Sequence, residues 1–527
     1  MRWVPVVFAS LLFLAGCFGG ANDDGSDGAP MDGATDGGWA ARALVNRGND
    51  DKHDHSDPTQ HEGMTTPNFE VLGFDPLSTE YYRRPAGGSY CGQVAETEGR
   101  DIAVYHSFTT NVALVVVDVT NRTDPQLIGE LVMPLTHVYD ASMTSDGRYA
   151  LLATTPKTSQ PDVPPTLLGP AAGTYREAPT FRDACGNSFA GPEENLPFTG
   201  GVVLVDLSDP TQPTIADYDA QPVLGVHSIS AETIDGTTYV AGSTTNLVHG
   251  ASYYTFYTLE QLPGVSRPHL QPFGTFTAQY PAPEAVDPAV AIEINGHVDA
   301  TIQKHPITGQ ILAYLANWNG GLVTVELVAP GQVEAVGMWS DYDPAKGSEM
   351  SGQWHSVHPL KDLRNGRHLT LFGQEIGGRP SERPTSLALI MDTTDPSDIR
   401  PVARWTLPID VQWDGGAMWS THYLDMVNDT LFVTLYHAGV WAADASEANW
   451  PNLASIGAFV PNAAPPDLPV RLLFDYAPCV LDLAHLSDGT LVVIDGTSGV
   501  YTARFDPHDP RVPPVAPWTD DHWSPAS

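Results

Sequence analysis

The stretch Thr421–Asp444, THYLDMVNDTLFVTLYHAGVWAAD, sets what this chain can fold into. A histidine enters a strand, Val427-Asn428-Asp429 turns it, a β-rich run ends at Tyr436-His437, Ala438-Gly439 makes a tight corner, and a third strand closes on Asp444. Branched and aromatic residues dominate the runs, and Asn, Asp and Gly punctuate them. The same plan recurs along the chain about every 45–65 residues. One small sheet cannot bury both of its apolar faces alone. Several packed around an axis can. The recurrence predicts an all-β fold: a seven-bladed β-propeller of four-stranded antiparallel blades over residues 73–515.

Aligned on this plan, the first strands of the seven blades start at Cys91, His137, His227, His297, His355, His422 and Cys479. After its third strand the chain often carries an acidic corner and a proline, as in Asp118-Val119-Thr120-Asn121-Arg122-Thr123-Asp124-Pro125, Asp206-Leu207-Ser208-Asp209-Pro210 and Asp392-Thr393-Thr394-Asp395-Pro396. Asp and Ser bond their own turn backbone and Pro fixes φ, so each corner ends one strand and launches the next. These corners, with Val115-Val116-Val117-Asp118 and Leu204-Val205-Asp206, resemble LVIVD repeats, which form propellers in mainly extracytoplasmic proteins. The resemblance implies the fold and carries little about function. Blade two is interrupted by a Pro/Gly-rich excursion from Pro156 to Gly200, long enough to cover one face of the propeller.

In a propeller the innermost strand of each blade lines the central channel, so the seven starting residues form a ring at one mouth. Histidine is 18 of 527 residues, and five of seven equivalent positions exceed what composition supplies. The second strand runs back antiparallel and returns its end to the same mouth. A polar shell of His106, Asn317, Gln374, Glu375, His437 and Asp495 is therefore expected around the ring. Asp140, Asp299, His358, Asp425 and Asp482 follow ring positions by two or three residues; alternation sends some to the channel and others toward a neighbouring blade. Trp354 and Trp419, beside ring histidines, are expected to line a pocket. Imidazole and thiolate together suit a transition metal, with copper favoured and iron or zinc next. His137, His227, His297, His355, His422, Cys91 and Cys479 are the candidate ligands. Glu375, His437 and Asp495 are the candidates for moving protons or holding substrate.

The N-terminus reads as an address. One positive charge at Arg2, an apolar run from Trp3 to Leu14 and then Leu14-Ala15-Gly16-Cys17 resemble the lipobox of secreted lipoproteins. Residues 1–16 are expected to be a lipoprotein signal peptide and Cys17 the lipidated residue, because a spanning helix needs about 20 apolar residues. Residues 17–70 are rich in Asp, Gly and Ala and read as a disordered acidic tether, with His53, His55 and His61 solvated in it. Cys91, Cys185 and Cys479 remain. A Cys91–Cys185 disulfide pinning the blade-two excursion is expected, with Cys91 and Cys479 pairing or co-ligating as the alternative.

The net charge of −38, with only five lysines, leaves no basic groove for phosphates, so nucleic acid is excluded as a partner. The same acidity resembles that of proteins from salt-adapted organisms, where salt screens self-repulsion. No nucleophile elbow, phosphate loop or His-Glu-x-x-His is present. Two classes stay open for a monomer held at the cell surface by its N-terminal lipid. One is a metal-dependent oxidoreductase acting on a small molecule. In overall plan it resembles selenium-binding/methanethiol oxidase proteins, although no motif matches residue by residue. The other is a non-catalytic surface module without a cofactor, binding protein, peptide or glycan on the propeller face.

Overall fold

The computed structural model describes residues 39, 65–77, 89–97, 99–107, 112–133, 136–156, 181–182, 188–189, 201–219, 225–244, 253–261, 267–277, 297–318, 320–341, 354–375, 387–408, 420–436, 438–461, 479–496 and 498–517. They form seven four-stranded antiparallel sheets and one two-stranded pair. The innermost strands are Ser89–Thr97, Thr136–Met143, Ser228–Ile234, His297–Lys304, Trp354–Pro359, Leu424–Val427 and Val480–His485, for blades one to seven in order. Each contacts the next, and that of blade seven contacts that of blade one, so the ring closes as a seven-bladed propeller.

Blade six keeps the plan read from its sequence. Its first three strands are Leu424–Val427, Thr430–Thr434 and Val440–Asp444. Asn428 makes the first turn at φ 53°, which Asn tolerates better than most residues. Gly439 makes the corner at φ 76°, where a Cβ would lie 2.2 Å from the Phe459 carbonyl oxygen.

The core is divided among the seven blade junctions, one apolar cluster at each. Alternation along buried strands produces this division. Val203 and Val205 pack toward blade one, whereas Val202 and Leu204 pack toward blade three. A strand buried on both faces reads as a continuous apolar run, and each such side chain contributes roughly 1.5–3 kcal/mol.

The acidic corners do more than stop strands. Asp118, Asp206 and Asp392 accept the amide two residues on, as expected of such turns. Each corner also seats against a glycine in the outer strand of the preceding blade. A Cβ on Gly129 would lie 2.1 Å from the Pro210 carbonyl oxygen, and one on Gly337 2.2 Å from that of Pro396. At the blade four–five junction Thr324 Oγ1 donates to the Pro396 carbonyl at 2.7 Å.

The ring is sealed by the chain's two ends. Blade seven takes three strands from the C-terminal part and its outer strand, Phe69–Asp75, from the N-terminal part, paired antiparallel with Gly499–Phe505. Trp39, within the segment read as a tether, is buried in the blade five–six cluster. Its Nε1 donates to the Pro513 carbonyl at 2.8 Å and its ring lies 5.5 Å from that of Trp441.

Candidate metal centre

Register shifts interrupt the innermost strands just past the ring positions, between Val138 and Asp140, His297 and Asp299, Trp354 and Ser356, and Val480 and Asp482. A bulge re-aims the side chains on either side of it. The following carboxylates turn to the next blade. Asp140 Oδ2 accepts from Ile229 N at 2.8 Å, Asp299 Oδ2 from Val357 N at 3.0 Å and Asp482 Oδ2 from Gly92 N at 2.9 Å. Three carboxylates expected to divide between channel and neighbour are thus latches between blades two and three, four and five, and seven and one.

Three of the ring histidines converge. His355 and His422 have centroids 4.4 Å apart, and His227 lies 6.4 Å from His355. Glu375, just past the second strand of blade five, brings Oε2 to 3.5 Å from His355 Nε2. One ligand atom from each of His355, Glu375 and His422 lies within 4.8 Å of the other two, the one such group found among the described residues. Aromatic rings enclose it. Tyr139 stacks on His227 at 5.2 Å, Trp318 meets His355 edge-on at 6.2 Å, and Tyr423 and Tyr436 meet His422 at 4.9 and 5.2 Å.

The imidazoles are held neutral. Burial pushes His355 and His422 down to about 3, with His227 opposing the charge of His355 and His355 that of His422. His106, arriving from the second strand of blade one, is also pushed to about 3, by burial and then by His422 and His227. Burial lowers His227, against which Glu375 pulls upward. Neutral imidazole is the form that ligates a metal. His422 Nδ1 lies 2.9 Å from the Leu481 carbonyl; a carbonyl only accepts, so Nδ1 carries the proton and Nε2 keeps a free lone pair. His355 Nδ1 is buried without a hydrogen-bond partner.

Other predicted residues are placed differently. His137 and His297 occupy the expected strand positions opposite Thr155 and Asn317, but their side chains lie outside the described residues. His437, Trp419, Cys17 and Cys185 lie outside them too. Asp495 accepts from Cys479 N at 2.7 Å and from Ser498 Oγ. Asn317 donates to the Leu315 and Gly321 carbonyls of its own blade. Cys91 and Cys479 are both free and buried, so the alternative pairing between them is not formed, and Cys185, the expected partner of Cys91, lies outside the described residues. Burial pushes both thiols well above their ordinary range, helped at Cys91 by Asp140 and at Cys479 by Asp495. Trp354 does not line a pocket: its ring stacks on Phe372 at 4.6 Å in the blade core and Nε1 donates to Asp341 at 2.9 Å.

Tyr423 and Tyr436 were not singled out in the sequence, where each is only the neighbour of a histidine. The Tyr423 ring also lies 5.9 Å from His355. Tyr436 donates to Glu375 Oε1. At the other end of the innermost strands, His485 Nδ1 lies 2.6 Å from Asp425 Oδ2 and Lys361 Nζ 3.1 Å from Glu232 Oε1. These pairs join blades six to seven and three to five.

The LVIVD-repeat family model matches residues 99–132 and 198–218, which cover three strands of blade one and the third and outer strands of blade two. The chain carries LVIVD repeats within a seven-bladed all-β propeller. Among solved structures, it is similar to a crystallised protein from Lactobacillus plantarum, at 8% identity and a TM-score of 0.45 over 75% of this chain and 89% of that one. A chain of the mitotic checkpoint complex is similar at 8% identity and a TM-score of 0.42, over 87% of this chain and 96% of that one. Among curated proteins none matches.

Proposed function

We propose that the propeller axis holds a divalent transition metal on His355, His422 and Glu375, and that the protein is a metal-dependent oxidoreductase presented outside the cell on a lipid anchor at Cys17. The observation that carries the metal reading is the convergence of two buried, neutral imidazoles and one carboxylate within 4.8 Å. The donor chemistry fits: one histidine is fixed in its ligating tautomer and the other keeps a buried nitrogen unpartnered.

A carboxylate in place of a thiolate moves the preference from copper toward iron(II) or zinc, and two histidines with one carboxylate is a set that suits non-haem iron. Three protein ligands leave coordination positions for a small substrate, where the bound ion would supply Lewis acidity or electron transfer. His227 borders that space and stays neutral, and Tyr139, Trp318 and Tyr423 pack against His227 and His355. Supporting the location are the lipobox-like Leu14-Ala15-Gly16-Cys17 and the resemblance of the repeats to those of extracytoplasmic proteins. Among the described residues no helix is long and apolar enough to cross a membrane.

The test is elemental analysis of the full chain purified without a histidine tag. About one equivalent of iron or zinc in the wild type, falling below a tenth in His355→Ala and His422→Ala at unchanged melting temperature, is expected. Metal-free folded protein that takes up none of iron, zinc or copper would favour the non-catalytic binding module instead.

A further inference from the structure

Tyr436 carries a feature that metal binding by three ligands leaves unused. Its φ is 39°, in the left-handed region. Of the five non-glycine residues found there among the described residues, three are Asn or Asp and only Tyr436 is aromatic. A bulky side chain in this region is strained and persists only where its surroundings impose it, most often at functional sites.

The imposing contacts are specific. Leu435 N donates to the Gly439 carbonyl at 2.8 Å and Ala438 N to the Leu435 carbonyl at 2.7 Å, closing a tight corner on either side of the residue. The Tyr436 carbonyl accepts from Val480 N of blade seven at 2.9 Å. The second strand of blade six thereby stops at Thr434, and the phenol turns to the axis. There its edge meets His422 at an interplanar angle of 84°, and its hydroxyl donates to Glu375 Oε1. Glu375 follows the strand Leu369–Gln374, so no strand pairing of its own holds it. With Oε1 engaged by Tyr436, Oε2 is the oxygen turned toward His355.

We infer that Tyr436 is a positioning residue: through its hydrogen bond it fixes the Glu375 carboxylate so that Oε2 is presented to the ion. The inference rests on the metal centre proposed above. Partners that orient a ligating group typically change metal affinity by about 10–100-fold when removed. Because the Tyr436 hydroxyl acts through Glu375, and phenylalanine keeps the ring that meets His422, removing the hydroxyl has no effect once Glu375 is gone.

The experiment is a cobalt(II) titration of the full chain, followed by visible absorption with a competing chelator, on wild type, Tyr436→Phe, Glu375→Ala, the double variant and His422→Ala. The expected result is a loss of cobalt affinity of about 10–100-fold in Tyr436→Phe, with a shifted absorption band and unchanged metal-free melting temperature, and no further loss on adding Tyr436→Phe to Glu375→Ala. Affinity within twofold of wild type in Tyr436→Phe, or an equal loss in both backgrounds, would overturn the inference. If the wild type binds and His422→Ala does not, that failure belongs to Tyr436 alone. A folded wild type that binds no cobalt removes the metal centre and the inference with it.

Discussion

At the scale of single residues, burial decides what the axial groups can do. The four histidines that converge there are kept neutral by desolvation before any neighbour acts on them. The carboxylates beneath them meet the same force with the opposite sign. Burial pushes Asp482 up to about 8, against the pull of the Gly92 and Leu483 amides and with help from Asp425 and Asp299. A carboxyl raised above its unfolded value of 3.8 keeps its proton in the native state while the unfolded chain has lost it, so its contribution to stability falls as pH rises from about 4 to 8. Asp482→Asn removes that titration. The stability difference between variant and wild type is expected to move in favour of the variant across this window, by at most about 1.4 kcal/mol per pH unit. Denaturant unfolding at pH 5.5 and pH 8 measures it, and a difference independent of pH would contradict the assignment.

At the scale of the elements, the repeated corner is the unit that fits blade to blade. Its carbonyl and proline occupy the space where a side chain on the facing glycine would stand. Gly129→Ala and Gly337→Ala are each expected to destabilise the protein by about 1–3 kcal/mol, because backbone on both sides must give way. Gly274→Ala meets only a methyl of Val333 at 2.8 Å and should cost less, since a side chain can shift. Chemical denaturation of the three variants tests the order. Equal costs would mean that the corner contact is not limiting.

This scale also shows what the chain discloses in advance. Strand runs, the Asn428 turn, the Gly439 corner and the Asp-Pro corners are local patterns of period and turn chemistry, so all seven blade starts were legible. The partners of those patterns are not local. Nothing near Asp140 names Ile229, nothing near Phe69 names Phe505, and Trp354 reads the same whether it faces a pocket or Phe372. The left-handed Tyr436 is the clearest instance. Its backbone is set by a bond from Val480 in another blade, and no propensity of its own points to it.

At the scale of the whole molecule, seven junction clusters and a final blade shared by the two ends leave no open sheet edge between first and last blade. A closed ring holds its axial side chains from separate blades at fixed separations, which is the preorganisation a site needs and a single sheet cannot supply. His355 and Glu375 come from blade five, His422 and Tyr436 from blade six, and the carbonyl that sets the His422 tautomer from blade seven. The most direct test of the proposed metal centre is diffraction from crystals grown with iron or zinc, recorded at the absorption edge of the ion. One anomalous peak on the propeller axis, within about 2.0–2.3 Å of a nitrogen of His355, Nε2 of His422 and an oxygen of Glu375, is the predicted result. No axial peak at full metal loading, or a peak held by other residues, would contradict it.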